Sequence, residues 1–238
     1  MSEIKIMKDI NEISKLIENK DIVEKLNLLS KQFSGKIVFS SSFQFEDQLI
    51  TDLIFRNNIE IDVFTLDTGR HFEETYKTHQ KTIEKYQKNI IVYFPKYEAV
   101  EELVRKKGLY SFYESKEKRI ECCNIRKVEL LERALKGVEC WITGLRKEQS
   151  QNRQQIEEIE FDEKLRIIKF NPLINWSFEQ VKEYVTKNNV PYNVLQDKGF
   201  LSVGCEPCTR AIKEGEDIRA GRWWWENNSS KECGLHKK

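Results

Sequence analysis

Between residues 36 and 170 the chain alternates short, nearly all-apolar runs with longer stretches whose apolar residues recur at helical spacing. That alternation narrows the fold more than any other feature. The short runs are Lys36–Ser40, Ile61–Leu66, Ile90–Phe94, Val138–Thr143 and Arg166–Phe170. Continuous rather than alternating apolarity marks strands covered on both faces. Between them, Leu49, Ile50, Leu53 and Ile54 predict one helix. Phe72, Tyr76, His79, Ile83 and Tyr86 predict a second, as one stripe at spacings of 4, 3, 4 and 3. A third is predicted from about Cys122, through Ile125, Val128, Leu131 and Leu135, with Gly137 at its end. Ile13, Leu16, Ile17, Ile22, Val23, Leu26 and Leu29 give helical spacing before the first strand, and Ser177–Gln180 fits a capping box after the last. The fold class is therefore α/β, a mostly parallel twisted sheet with helices on both faces. A length of 238 residues suits one such domain. Its expected extent is 1–225, with 226–238 as a flexible C-terminal tail.

Open sheets of this kind bind ligands beyond the carboxyl ends of their strands. Three small, polar segments follow strands and so share that rim: Ser40-Ser41-Ser42, Asp67-Thr68-Gly69-Arg70 and Thr143-Gly144-Leu145-Arg146. Any one could be an ordinary turn; three together, with two arginines, point to an anionic ligand. The whole-chain charge does not: 40 Lys+Arg against 39 Asp+Glu leaves +1, which argues against a nucleic-acid partner. No apolar run approaches the ~20 residues of a membrane span. The N-terminus is charged from its third residue, unlike a secretory signal. A cytoplasmic, reducing location is expected, with no membrane partner.

In such a compartment clustered thiols mean metal or catalysis more often than disulfides. Of six cysteines, Cys122-Cys123 and Cys205-Glu-Pro-Cys208 form two pairs that could make one four-sulfur site. Adjacent side chains diverge, so the first pair suits a cluster of several metal atoms better than one zinc ion. The alternative is a redox dithiol at 205/208 with unrelated thiols at 122/123. Gly204, before the second pair, is expected to allow a tight turn. Cys140, inside an apolar run, reads as core filling. Cys233 lies in the tail, and eight residues from 226 reach at most about 27 Å when extended. With His236 three residues on, it reads as a nucleophile delivered to a site, against an incidental terminal thiol. Arg119, Arg126 and Lys127 flank the first pair and Arg210, Arg219 and Arg222 follow the second, the donors an anion needs. Trp223-Trp224-Trp225 is expected to pack the C-terminal segment rather than stack a base. His79 is expected to face the core, and His71 on the rim is left open.

Cys-Cys-Asn-Ile-Arg-Lys-Val-Glu-Leu from 122, Cys-Glu-Pro-Cys-Thr-Arg from 205, Asp-Ile-Arg-Ala-Gly-Arg-Trp-Trp-Trp from 217 and Glu-Cys-Gly-Leu-His from 232 stand in this order. Together with Leu66-Asp-Thr-Gly and Thr143-Gly-Leu-Arg, they resemble the assimilatory sulfonucleotide reductases, most closely the cluster-containing adenylylsulfate branch. The resemblance runs from about residue 35 to the end. It implies an adenine-nucleotide α-hydrolase-like fold, a [4Fe–4S] cluster on Cys122, Cys123, Cys205 and Cys208, and Cys233 as nucleophile. It also implies substrate contacts from Lys127, Arg219, Arg222 and His236; the rim reading adds Ser40, Ser41, Ser42 and Arg146. The implied reaction is reduction of adenylylsulfate to sulfite and AMP through a Cys–S-sulfonate, with thioredoxin or a similar dithiol as partner. The family also implies that the cluster orders the site rather than passing electrons. The 3′-phosphorylated nucleotide, or both nucleotides, is the alternative substrate. An ATP-pyrophosphatase-type sulfur-transfer enzyme is a weaker rival, because the segment after the first strand has no glycine and carries Glu46 and Asp47. A zinc-stabilised binding module would leave Cys233 and the arginines unexplained. Whether the chain acts as a homo-oligomer is open.

Overall fold

The computed structural model describes residues 3–150 and 153–226. Two helices, α1 (Glu3–Ile17) and α2 (Ile22–Gln32), precede β1 (Ile37–Ser40). Asp21 starts the second, accepting from Glu24 N–H at 2.8 Å while the Glu24 carboxylate accepts from the Asp21 N–H at 3.1 Å. Then follow α3 (Phe45–Arg56), β2 (Asp62–Leu66), α4 (Glu73–Tyr86), β3 (Ile91–Tyr93), α5 (Tyr97–Lys107), α6 (Lys116–Cys123), a π-helical turn Asn124–Val128, α7 (Glu129–Ala134), β4 (Cys140–Ile142), β5 (Ile159–Asp162), β6 (Ile167–Phe170) and α8 (Phe178–Lys187). The sheet runs β3-β2-β1-β4-β6-β5. All neighbours pair parallel except β5 with β6.

The alternation of side chains along each strand divides the core. Phe39, Val63, Cys140, Ile142 and Phe170 pack with residues of α1, α2, α3 and α8. Phe64, Leu66, Trp141 and Ile167 pack with Leu130, Leu131, Ala134 and Leu135. Both faces are thus covered, as expected. Cys140 is fully buried, and burial pushes its thiol well up, as core filling requires. Among the described residues no helix is long and apolar enough to cross a membrane.

Three expectations change. The stripe on α4 is not its buried face: Tyr76 is exposed and Thr75, Thr78 and Thr82 are buried instead. Thr78 and Thr82 hydroxyls donate to carbonyls four residues back, and Thr82 and Thr75 accept from Gln48 (2.7 Å) and Asn193 (3.0 Å). Small hydroxylated side chains suit this close, polar contact, which an apolar count cannot register. The third helix begins at Lys116, not near Cys122, because Ser115 caps it by accepting from Lys118 N–H at 3.2 Å. Strand β5 was not expected at all. Its Glu160 and Asp162 hide their character by facing buried Lys169, 3.2 and 3.9 Å away.

Candidate active site

The strand order reverses between β1 and β4, the position where an open sheet leaves a crevice. A cavity of about 180 Å³ lies there. Ser40, Ser41 and Ser42 form one side and Thr143, Gly144 and Leu145 the other, while Lys127, Arg219 and Arg222 reach it from later segments. Trp141 also lines it and donates from Nε1 to Ser40 Oγ at 2.9 Å. Neither Trp224 nor Trp225 does.

The loop from β1 to α3 is held from inside. Asp47 Oδ2 accepts from Ser42 N–H at 2.6 Å and from Ser42 Oγ at 2.5 Å. Phe43 sits at φ +61°, a left-handed conformation that costs a side-chain-bearing residue roughly 1–2 kcal/mol. Its ring stacks on His79, 5.0 Å between centroids, which gives the half-buried His79 the core-facing role expected of it. Burial, opposed by the Ser42 bonds, pushes Asp47 up to about 6. Asp47 Oδ1 is seated against Gly144, where a Cβ would stand 2.2 Å away, so only glycine fits.

Arg146 is in a different place from the one expected. It is 2% exposed and turns under the loop to Glu46, at 2.9 Å from Nε and 2.8 Å from Nη2, and to Glu148. It is absent from the cavity wall because the buried Glu46 carboxylate needs a cation. Arg153, which the sequence reading passed over, lines the cavity instead. Its only signal was position, an arginine in a polar run just beyond a rim segment.

A second, smaller cavity of about 40 Å³ adjoins the first, and all four paired cysteines line it. Cys122 and Cys208 are buried, Cys123 and Cys205 partly so, and none of the four is in a disulfide. Cys205 Sγ lies 3.1 Å from Thr68 Oγ1. Burial pushes the Cys122 and Cys208 thiols up; Arg126 and Arg70 oppose it at Cys122, Arg222 at Cys208. Arg119 bonds to Cys123 and forms a two-pronged pair with Glu226 at 2.7 and 2.8 Å. The C-terminal segment folds back here: Thr209 and Arg222 bridge antiparallel, and Trp223 N–H donates to Cys208 O at 3.1 Å. Trp223 is buried between the Arg119 and Arg222 guanidinia, and Trp225 packs on Tyr113, while Trp224 is half exposed. Packing is thus the role of two of the three tryptophans. Gly204 does not have the positive φ of a tight turn. Its missing side chain makes room for Arg222, whose Nη2 would lie 2.4 Å from a Cβ.

His71, Lys127, Gly204 and Arg222 line both cavities and form their common wall. Burial, then Lys127 and Arg222, lower His71 to about 4 against the pull of Asp67, so the imidazole is neutral at pH 7. Cys233 and His236 lie outside the described residues.

Residues 36–211 match the phosphoadenosine phosphosulfate reductase domain. The chain belongs to this family. An adenosine 5′-phosphosulfate reductase from Agrobacterium fabrum is 48% identical over 202 residues, covering 85% of this chain and 78% of that protein. One from Neisseria meningitidis serogroup B is 50% identical over 200 residues, 84% and 81% of the two chains. Among solved structures, the phosphoadenylyl-sulfate reductase of Candida auris in its phosphate complex has a TM-score of 0.72 and 32% identity, covering 89% of this chain and 98% of that one. A Candida glabrata FMN adenylyltransferase, at 16% identity and a TM-score of 0.54 over 97% of this chain and 76% of that one, shares the fold. The family's members are thus built on the two-faced sheet described above.

Proposed function

We propose that the chain reduces adenylylsulfate to sulfite and AMP, using a dithiol protein such as thioredoxin. The observation that carries this reading is the shared wall: cationic Lys127 and Arg222 stand between the crevice at the sheet's switch point and a four-cysteine pocket. Ser40 and Ser41 with Thr143 frame the nucleotide. Lys127, Arg219 and Arg222 offset the sulfate and phosphate charges and hold the sulfur for attack. Neutral His71 adds polarity there without a further charge. The Cys233 thiolate attacks that sulfur, forming an S–S bond as the S–O bond to phosphate breaks, and AMP leaves. A thiolate of the reductant then attacks Cys233 Sγ and releases sulfite. The reductant's second thiol closes its own disulfide and frees Cys233. The two electrons come from the dithiol, and sulfur is reduced from sulfate to sulfite level. When extended, residues 227–233 reach at most about 25 Å from Glu226, which Arg119 holds.

Cys122, Cys123, Cys205 and Cys208 fit a [4Fe–4S] cluster. All four line one pocket, yet among the described residues no three His, Cys, Asp or Glu side chains converge tightly enough to hold one metal ion. A donor set that is gathered but spread suits several irons better than one zinc. Arg126 Nε, buried beside them, has no hydrogen-bond partner of its own among the described residues. When bound, such a cluster would supply fixed charge that holds the thiols deprotonated and joins α6 to the segment around Cys208. The domain boundary proposed is 1–225, with 226–238 as the delivering tail, in a cytoplasmic enzyme of sulfate assimilation.

A dual preference that includes the 3′-phosphorylated nucleotide has one observation in its favour. Arg153 is a cation on the crevice wall in addition to the three already assigned. Sulfite release from the two nucleotides in parallel, with thioredoxin as reductant, decides between them. Absence of release from either overturns the proposed function.

A further inference from the structure

The head of α3 carries an anion of its own. An α/β protein that binds a pyrophosphate grips it where the first strand passes into its helix. Open backbone N–H groups of the loop and of the first helical turn face the phosphates there. In this chain that place is filled from within. Asp47, the third residue of α3, folds back so that Oδ2 takes both the Ser42 N–H (2.6 Å) and the Ser42 hydroxyl (2.5 Å). Two further donors of the loop are committed too, although the Gln44 side chain caps none of the first-turn N–H groups. Phe43 N–H goes to Ser41 Oγ at 3.2 Å, and Phe45 N–H to Gln196 Oε1 at 2.8 Å. Gln44 Nε2 donates to Ser42 Oγ at 2.9 Å, which completes that hydroxyl's pairing.

The neighbouring carboxylate makes the contrast. Both carboxylates are on the crevice wall, but Glu46 is matched by Arg146, whereas Asp47 is held by neutral donors. Gly144 confines it from the opposite loop, since any side chain there would collide with Asp47 Oδ1. A carboxylate fixed between the two loops both repels a second phosphate and uses the N–H group that would bind it.

We infer that Asp47 is a specificity-determining residue. Its carboxylate stands in for a second phosphate at the head of α3, so the crevice takes an adenosine nucleotide with one 5′-phosphate and turns away ADP and ATP. The single phosphate and its sulfate are left to the cations on the wall shared with the cysteines. The inference rests on the nucleotide reading proposed above.

The test is equilibrium binding of AMP, ADP and ATP to the holoprotein at one ionic strength without divalent cations. It compares wild type with Asp47→Asn, which keeps the shape, and Asp47→Glu, which keeps the charge. Asp47→Ser is measured in parallel, so that a folding defect in one neutral variant does not decide the result. The wild type is expected to bind ADP and ATP at least tenfold more weakly than AMP. In Asp47→Asn and Asp47→Ser the ADP-to-AMP affinity ratio rises at least tenfold, and in Asp47→Glu it does not. AMP binding to the wild type with an unchanged ratio in both neutral variants overturns this inference alone. No AMP binding to the wild type overturns the nucleotide reading, and this inference with it.

Discussion

The two cavities share a wall but are finished differently. In the nucleotide crevice the polar groups are already paired with one another: Ser42 with Asp47, Ser40 with Trp141, Thr143 with Asn171 at 2.5 Å. In the cysteine pocket the pairing is less complete. Cys205 meets Thr68 and Arg119 meets Glu226, but burial pushes Cys122 and Cys208 up, and Arg126 Nε is enclosed without a partner among the described residues. Buried donors without partners are costly. The first region is therefore more fully preorganised by its own chain than the second.

The largest effect should come from outside both regions. Cys233→Ser is expected to lower sulfite release on the order of 10³-fold or more, as loss of a nucleophile does. No S-sulfonate should appear on the protein by mass spectrometry, and iron content should be unchanged; retained turnover would remove the tail thiol from the mechanism. Lys127→Ala removes a cation from the shared wall and should cost about 10²–10³-fold in kcat/KM, the usual scale for a group that stabilises developing charge. A smaller loss would place the catalytic charge elsewhere.

Cys208→Ala separates the two regions directly. Iron per chain should fall from about four to below one by elemental analysis, while AMP binding changes little. Parallel loss of AMP affinity would show that the crevice depends on the pocket after all. Gly204→Ala tests their joint. A Cβ 2.4 Å from the Arg222 guanidinium must displace it. The expected cost is about 1–3 kcal/mol of stability, typical of overpacking, read by denaturant melts, together with weaker AMP binding.

The smallest effect concerns pH. Asp47 is raised from 3.8 to about 6 in the folded chain, so folding takes up protons between those values. This carboxyl's contribution is most favourable below pH 4 and is lost as pH rises through 6. Asp47→Asn should therefore be more stable than wild type by up to about 3 kcal/mol at pH 8 and equal to it below pH 4. A difference that grows on acidification would contradict the assigned environment.

How much of this was legible follows from what each pattern records. Apolar runs report burial on both faces, so the parallel strands and the three rim segments could be read directly. Cys122, Cys123, Cys205 and Cys208 line one pocket. The threonine face of α4 and strand β5 were hidden, because Thr75, Thr78 and Thr82 are buried, and Glu160 and Asp162 half-buried, through partners elsewhere in the chain. Arg146 misled for the same reason: its residue type suits an anion, and its anion proved to be Glu46. Gly204 was singled out for backbone freedom but is needed for lack of bulk, a distinction only the position of Arg222 reveals.

The π-helical turn after α6 sets a rotational phase. Glu129 N–H bonds to Asn124 O, five residues back, so the helix takes one residue more to complete that turn. In a regular helix Lys127 would stand about 140° around the axis from Cys122; with the added residue the offset shrinks to about 40°. One inserted residue thus turns a helix that would show cysteines to one side and lysine to another into a single face looking both ways. Deleting Asn124 would leave every side chain that lines the two cavities intact and still uncouple them.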